Sequence, residues 1–229
     1  MKKHYSWLLF DADGTLFDYN LAETTALRNT FASLGLPFAD AHLGVYQKIN
    51  HGLWQALERH EITPDVLQVR RFELVLDALQ LTGSPEQMSK TYVEQLGLCT
   101  DLIDGAYELL QSLHGKFHLA IVTNGLQTVQ RSRLARSTIR DFIEELIISE
   151  EVGAAKPQGA YFDIAFSRIG NPPKSDVLII GDGLSSDIKG GVDYGIDTCW
   201  FNPASQPRPG DLAITYEIRR LDELLEILL

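Results

Sequence analysis

Apolar residues form short continuous runs in two parts of this chain and recur at helical spacing in the segment between them. The first run, Leu8–Phe10, predicts a buried strand, and Asp11, Asp13 and Gly14 follow it. Glycine permits the tight turn that would end such a strand. Because ligands of open α/β sheets bind beyond the carboxyl ends of the strands, we expect both carboxylates to face a crevice.

The segment between Asn20 and Leu98 shows almost no strand pattern and predicts an all-helical insertion. Thr63-Pro64 and Ser84-Pro85 each supply an N-cap residue followed by proline at the first helical position. A run of helices without intervening strands is typical of a separate lobe. The predicted helices are Leu21–Leu34, Ala39–Arg59, Thr63–Leu81 and Ser84–Leu98.

From Asp101 onward helices and strands alternate, which predicts a parallel sheet. The predicted helices of this region are Asp104–His114, Leu126–Ser137, Gln158–Ile169, Ser185–Tyr194 and Arg220–Leu229. The predicted strands are Phe117–Thr123, Leu146–Ser149, Asp176–Gly181, Asp197–Phe201 and a short one near Ala213–Glu217.

The first strand needs parallel neighbours, and those nearest in sequence follow the helical insertion. Residues 1–17 and 100–229 are therefore predicted to form one α/β core with a Rossmann-like open parallel sheet. Residues 18–99 would form a helical cap domain inserted after the first strand. Such a cap could shield a crevice at the strand ends.

Composition and charge narrow the class of partner. The chain is 45% hydrophobic and 22% charged, as is typical of soluble globular proteins. A formal net charge of -11 argues against binding to a nucleic acid polymer, which depends on clustered Lys and Arg. The N-terminal apolar run stops at Phe10, too early for a signal peptide, and no stretch approaches the ~18 apolar residues of a membrane span. We therefore expect a cytoplasmic protein without a membrane partner.

Polar residues that could take part in catalysis or bind a metal follow several of the predicted strands, and they should converge on one edge of the sheet. Three carboxylates meeting there would repel one another strongly unless a bound cation offset their charge. Oxygen ligands without His or Cys favour Mg²⁺, which keeps several waters and bridges to phosphate groups. The residues concerned are Asp11, Asp13, Thr123, Lys156, Asp182 and Asp187.

The order of these residues resembles the motifs of the haloacid dehalogenase superfamily in its phosphatase form. The four motifs are Asp-x-Asp-Gly-Thr, an apolar strand ending in Thr, Lys-Pro and Gly-Asp-x-x-x-x-Asp. The helical insertion occupies the position of that superfamily's type-1 cap, so the resemblance spans the chain. Further segments resemble the pyrimidine 5′-nucleotidase branch, which is associated with clearing non-standard nucleotides. They are Phe10–Asp18, Thr123–Leu126, Ile148–Gly153 with Lys156-Pro157, Gly190-Gly191 and Thr198–Trp200.

The resemblance implies a phosphomonoester hydrolase that works through an aspartyl-phosphate intermediate. Asp11 would be the nucleophile, and Asp13 would protonate the leaving group and then deprotonate the attacking water. Thr123 would hydrogen-bond the phosphoryl group, and Lys156 would pair with the nucleophile and with developing negative charge. Asp13 also argues against carbon–halogen cleavage, because dehalogenases of this superfamily lack a carboxylate at that position.

The resemblance also implies a metal and a substrate class. Mg²⁺, with Mn²⁺ as a substitute, would be held by the Asp11 carboxylate, the backbone carbonyl of Asp13 and Asp182. Asp187 would either bind the metal directly or lie just behind its direct ligands. The partner would be a small phosphorylated metabolite, most simply a nucleoside 5′-monophosphate with a pyrimidine base. The candidate substrate-binding residues are Phe17, Asn50, Trp54, Asn124 and Gly125.

Two questions stay open at this stage. Tyr46, Asn50 and Trp54 recur every four residues and share a helix face, which fits either the core of the cap or a base-binding surface.

A sugar-phosphate phosphatase or phosphoglucomutase of the same superfamily would differ only in the cap. A phospho-accepting signalling module also uses acids, a Thr and a Lys around Mg²⁺, but it lacks the helical insertion and has another motif order. The oligomeric state is not indicated.

Overall fold

The computed structural model describes residues 3–59 and 61–229. Met1 and Lys2, which belong to the predicted core segment, and His60, in the predicted insertion, lie outside the described residues. The described chain divides into two compact units, one formed by residues up to Tyr19 together with Thr100–Leu229 and the other by Asn20–Cys99. None of the helices in the described part of the chain has the length and apolar character needed to cross a membrane.

The secondary structure follows the predicted order of elements. The strands are β1 (Trp7–Phe10), β2 (His118–Thr123), β3 (Glu145–Ile148), β4 (Val177–Gly181), β5 (Asp197–Phe201) and β6 (Tyr216–Ile218). The α-helices of the described residues are α1 (Tyr19–Ser33), α2 (Asp40–Glu58), α3 (Pro64–Leu79), α4 (Pro85–Leu96), α5 (Ala106–Leu113), α6 (Gln127–Arg136), α7 (Ser149–Val152), α8 (Gly159–Arg168), α9 (Lys189–Tyr194) and α10 (Glu223–Leu228).

Within the described residues, the first unit contains a six-stranded sheet in the order β3-β2-β1-β4-β5-β6, and every strand pair is parallel. Strand β1 is central: Phe10 lies opposite Ile121 of β2 and Ile180 of β4. The chain moves from β1 to one side of the sheet and then crosses to β4 on the other, so the strand order reverses between β1 and β4. The predicted α/β class with a Rossmann-like parallel sheet is confirmed.

Both faces of this sheet are covered. Leu8 and Phe10 pack in one buried cluster, which includes Leu109 of α5, whereas Leu9 packs in another, which includes Phe162 of α8. Side chains of a strand alternate between the two faces, so a strand covered on both sides needs apolar residues at consecutive positions. This requirement explains the continuous apolar runs in the sequence.

Several predicted elements of this unit differ from the structure, most of them only in their bounds. The helix predicted over Ser185–Tyr194 is wrong in its first half, because Leu184–Ile188 forms a wider π-helical turn and α9 begins only at Lys189. The last strand begins at Tyr216, later than predicted. Just before this strand, Thr215 and Thr198 form two reciprocal hydrogen bonds of 3.2 Å. The backbone N–H of each threonine donates to the side-chain hydroxyl of the other.

The second unit contains α2, α3 and α4 and nearly all of α1. The predicted caps are confirmed: the Thr63 hydroxyl accepts the Val66 N–H at 3.5 Å, and the Ser84 hydroxyl accepts the Gln87 N–H at 3.2 Å. Its core includes three aromatic rings whose centroids lie 5.4 to 5.8 Å apart. They belong to Tyr46, Phe72 and Tyr92.

Candidate active site

An acidic cluster lies at the carboxyl ends of β1 and β4, where the strand order reverses. The Asp11 N–H donates to the Ile180 carbonyl at 2.8 Å and so continues the pairing of the two strands to the first acid. Asp182 follows β4 directly, and the π-helical turn brings Asp187 back toward both. One carboxylate oxygen from each of these acids lies within 4.8 Å of the others. The structure thus brings Asp11 together with Asp182 and Asp187, which come much later in the sequence.

Lys156 is the positive group of this cluster. Its Nζ donates to Asp11 Oδ1, Asp187 Oδ1 and the Val122 carbonyl, each at 2.6 Å. Burial alone would lower the pKa of Lys156, but the negative charges of Asp11 and Asp187 outweigh it and raise that pKa above its ordinary value. Lys156 is therefore an ammonium ion, and its three protons are all directed at oxygen atoms.

One ammonium does not balance three carboxylates. Burial, opposed by Lys156 and reinforced by Asp187, raises the pKa of Asp11 well above its usual range. Partial desolvation and the charge of Asp187 raise the pKa of Asp182 to about 6. In both residues the charge of Asp187 adds to the desolvation, and a cation would offset that charge. A set of carboxylate oxygens fits a hard divalent cation such as Mg²⁺.

Thr15 and Gly14 hold the exposed member of the acid cluster, and the sequence analysis did not assign either of them to the site. The Thr15 hydroxyl accepts the backbone N–H of Asp182 at 3.1 Å and donates to Asp182 Oδ1 at 3.3 Å. Gly14 has φ +82°, and a Cβ there would stand 2.6 Å from Asp182 Oδ2. Glycine is thus required both by the backbone conformation and by the approach of the carboxylate. The Gly-Thr pair of the first motif was the available signal.

Two side chains of α6 contact Asp13. The Gln130 amide donates through Nε2 to Asp13 Oδ2, and the Arg133 guanidinium donates through Nη1 to Asp13 Oδ1. Arg133 is fully buried, whereas 27% of the Asp13 side chain is exposed. Sequence reasoning missed Gln130 and Arg133. Their spacing of three places them on one helix face, but nothing in the sequence pairs that face with Asp13.

The predicted residues that follow β2 are tied to the lysine loop. Thr123 is buried, and its hydroxyl accepts the Gly125 N–H at 3.0 Å. The Asn124 side chain donates to the Lys156 carbonyl at 2.8 Å and accepts the Lys156 N–H at 2.9 Å. Asn124 therefore positions the loop that carries Lys156. Contacts of Thr123, Asn124 and Gly125 with substrate stay predictions.

The remaining substrate candidates occupy different surroundings. Phe17 is 1% exposed and packs in the core of the first unit under the Arg133 guanidinium, 5.1 Å from its ring centroid. A role of Phe17 in base binding stays a prediction. Asn50 of α2 is buried, donates to Glu23 at 3.0 Å and accepts from Arg71 at 3.4 Å. Trp54 is partly exposed. A role of Asn50 or Trp54 in base binding stays a prediction.

Comparison with known proteins identifies the family. The haloacid dehalogenase-like hydrolase family matches residues 5–195. The chain belongs to this family. This match confirms the resemblance seen in the sequence. It also confirms the prediction that the protein is an enzyme.

Three relatives match this haloacid dehalogenase-like hydrolase over nearly its whole length. The HAD-hydrolase YfnB of Bacillus subtilis is 39% identical, over 99% of this chain and 96% of its own. The pyrimidine 5′-nucleotidase YjjG of Escherichia coli is 36% identical over 98% of both chains. The pyrimidine 5′-nucleotidase PynA of Streptococcus pneumoniae is 32% identical, over 98% of this chain and 95% of its own.

The fold is also that of a solved relative. The crystal structure of YfnB bound to magnesium superimposes with a TM-score of 0.93 and covers 99% of both chains. A magnesium-bound relative with the same fold agrees with the carboxylate cluster of Asp11, Asp182 and Asp187 in this chain.

Proposed function

We propose that this protein is a Mg²⁺-dependent phosphatase that hydrolyses nucleoside 5′-monophosphates, preferring pyrimidines, through an aspartyl-phosphate. The observation that carries the proposal is the pairing of two differently held acids after β1. Asp11 lies in the cluster with Lys156, and Asp13 lies two residues on, held by α6. Hydrolysis of an ester through a covalent intermediate needs a nucleophile and a separate acid–base group at the same edge.

In the first half-reaction the Asp11 carboxylate attacks phosphorus and forms an acyl phosphate. The bond between phosphorus and the ribose oxygen breaks, and that oxygen takes a proton from Asp13. Lys156 keeps Asp11 oriented from a distance of 2.6 Å and supplies positive charge close to the reacting group. The nucleoside leaves as a neutral alcohol.

In the second half-reaction water attacks the phosphorus of the intermediate. Asp13, now a carboxylate, removes a proton from that water, and the bond between Asp11 and phosphorus breaks. Inorganic phosphate is released, and Asp11 and Asp13 return to their starting states. General acid–base assistance of this kind contributes about 10²–10⁴-fold to the rate.

Asp11, Asp182 and Asp187 would hold the metal, together with the backbone carbonyl of Asp13. Bound Mg²⁺ would offset the negative charge that phosphate and three carboxylates bring together. An acidic protein that binds an anion depends on such local positive charge, because its net charge of -11 repels the substrate.

The substrate class is supported by the relatives. YjjG and PynA, both named pyrimidine 5′-nucleotidases, match this chain at 36% and 32% identity over 98% of its length. The cap regions are included in this match. We therefore place pyrimidine nucleotides first among the phosphate esters that the core could process.

The test is phosphate release by the purified protein with Mg²⁺ over many turnovers. The panel would contain UMP, dTMP, CMP, AMP, GMP, glucose 6-phosphate and p-nitrophenyl phosphate. We expect the largest kcat/KM for a pyrimidine nucleotide. A higher value for the sugar phosphate would reassign the substrate, isomerised sugar phosphate without released phosphate would indicate a mutase, and a stable phosphoprotein without turnover would indicate a signalling module.

A further inference from the structure

Arg133 is buried in a way that its contact with Asp13 alone does not explain. Its side chain is 0% exposed, and Phe17 covers one face of the guanidinium. Within residues 3–59 and 61–229, Asp13 is the carboxylate with which Arg133 forms an ion pair, and Nε and Nη2 of Arg133 have no hydrogen-bond partner. Unpaired buried donors are costly. A buried guanidinium with unpaired donors therefore calls for an explanation.

Arg133 contacts both ends of the turn from Asp13 to Phe17. The Nη1 atom of Arg133 donates to Asp13, and the guanidinium lies over the Phe17 ring. Within the turn that joins Asp13 to Phe17, the Gly14 N–H donates to the Phe17 carbonyl at 3.0 Å. The guanidinium thus connects the acid to the packed base of its own turn. Because Phe17 belongs to the buried core, its contact with Arg133 restricts the motion of the guanidinium and thereby of the Asp13 carboxylate.

The Gln130 amide, which donates to the second carboxylate oxygen of Asp13, lies directly beside Gly125. A Cβ at Gly125 would overlap the Gln130 side-chain amide, so a side chain there would displace it. The Gln130 backbone is fixed by a 2.9 Å hydrogen bond to the Leu126 carbonyl at the start of α6. Gly125 is therefore needed for the space that the Gln130 amide occupies.

We propose that Arg133 and Gln130 are positioning residues that orient Asp13 for proton transfer in both half-reactions, a role that rests on the proposed function. Arg133 anchors Oδ1 through an ion pair, and Gln130 aligns Oδ2 through a hydrogen bond from its uncharged amide. Oδ2 is then the oxygen that exchanges a proton with the leaving group and with water. A primary amide has both a donor and an acceptor, so Gln130 can bond Oδ2 before and after the transfer.

The experiment separates the proton-transfer role from general damage by changing the leaving group. A ribose alkoxide needs a proton as it departs, whereas p-nitrophenolate does not. For Gln130→Leu and Arg133→Lys we expect kcat on a nucleotide to fall about 10–100-fold, less than the full acid–base contribution, with KM changed less than about threefold. The stopped-flow burst of p-nitrophenolate should keep its rate, and the following steady state should slow, because the water step also uses Asp13.

Matched variants control for the helix itself. Gln127→Leu and Arg136→Met place similar changes on exposed positions of α6 and should leave kcat on both substrates unchanged. Gly125→Ala keeps Gln130 but crowds its amide, and we expect the same leaving-group dependence from it. It preserves the test if an Arg133 variant does not fold.

The outcomes are distinct. Equal losses on both esters, including the burst rate, or unchanged kcat in folded Gln130→Leu and Gly125→Ala, would overturn the positioning role. If the wild-type protein prefers another alkyl phosphate, that ester replaces the nucleotide in the comparison, and only the proposed substrate is wrong. A wild-type protein that releases phosphate from no ester contradicts the proposed function itself.

Discussion

Lys156 and Asp187 form an ion pair in which Nζ and Oδ1 lie 2.6 Å apart and each side chain is 1% exposed. Asp187 also accepts the Gly183 N–H at 3.1 Å, so the same carboxylate closes the π-helical turn and holds the lysine. The pair links the loop before α8 to the loop after β4. Its partner Asp11 thereby depends on both loops for its position.

Removing this lysine should damage both stability and catalysis. Lys156→Met leaves buried carboxylates without their ammonium, and breaking a buried pair costs about 3–5 kcal/mol. We expect that loss in urea unfolding, together with loss of phosphate release. Lys189→Met is the control: Lys189 and Asp193 form an exposed pair, whose removal should cost less than about 1 kcal/mol. Equal effects of the two variants would contradict the role of Lys156.

Asp11→Asn should abolish phosphate release without unfolding the protein. An amide cannot form the acyl phosphate, and the change removes one charge from a crowded acidic cluster. Activity on a nucleotide and on p-nitrophenyl phosphate should both fall to background while the circular dichroism spectrum is retained. Retained turnover on either ester would exclude Asp11 as the nucleophile.

Mg²⁺ binding should strengthen as pH rises from 5 to 7. The pKa of Asp182 is raised to about 6 and that of Asp11 is raised as well, so above about pH 4 these two groups hold protons in the metal-free native state that they lose in the unfolded chain. The contribution of these two groups to the stability of the metal-free protein therefore falls as pH rises toward 6, and Mg²⁺ competes with the same protons. Thermal unfolding should show a larger Mg²⁺-induced increase in Tm at pH 7 than at pH 5.

The control for this prediction is Asp182→Asn, which removes one titrating group. It should lower the Mg²⁺-induced increase in Tm and weaken its dependence on pH. An increase of the same size at both pH values in the wild-type protein would show that protons and Mg²⁺ do not compete at this cluster.

Asn50→Ala should destabilise the helical unit. The Asn50 amide links Glu23 and Arg71 in its interior, and loss of such bonds costs about 1–3 kcal/mol. Asn29→Ala, which removes an exposed 3.1 Å bond to Gln95, should change stability by no more than about 0.5 kcal/mol. Urea unfolding of the two variants provides the comparison.

Kinetics of Asn50→Ala would separate the two interpretations of this residue. If Asn50 contacts the base, the variant should have a higher KM for UMP but not for p-nitrophenyl phosphate, because the latter has no base. A purely internal role changes neither KM in the folded protein. The hydrogen bonds to Glu23 and Arg71 account for both ends of the amide without substrate.

Most strands could be predicted because their cause is local. Strands buried on both faces need consecutive apolar residues, and runs such as Leu8–Phe10 and Val177–Ile180 show this directly. The caps at Thr63 and Ser84 were predictable for the same reason, since cap and helix are adjacent in the chain. The π-helical turn was not, because it depends on Asp187 reaching Gly183 and Lys156.

The chain by itself determined the strand ends and the acids Asp11 and Asp182, because each of these acids comes straight after its own strand run. Only the tertiary structure decided how the acids are held. Gln130 and Arg133 meet Asp13 across more than a hundred residues, and Phe17 lies beneath Arg133 instead of at an open surface. Such contacts arise when α6 packs against the turn that follows β1, and no local periodicity records that packing.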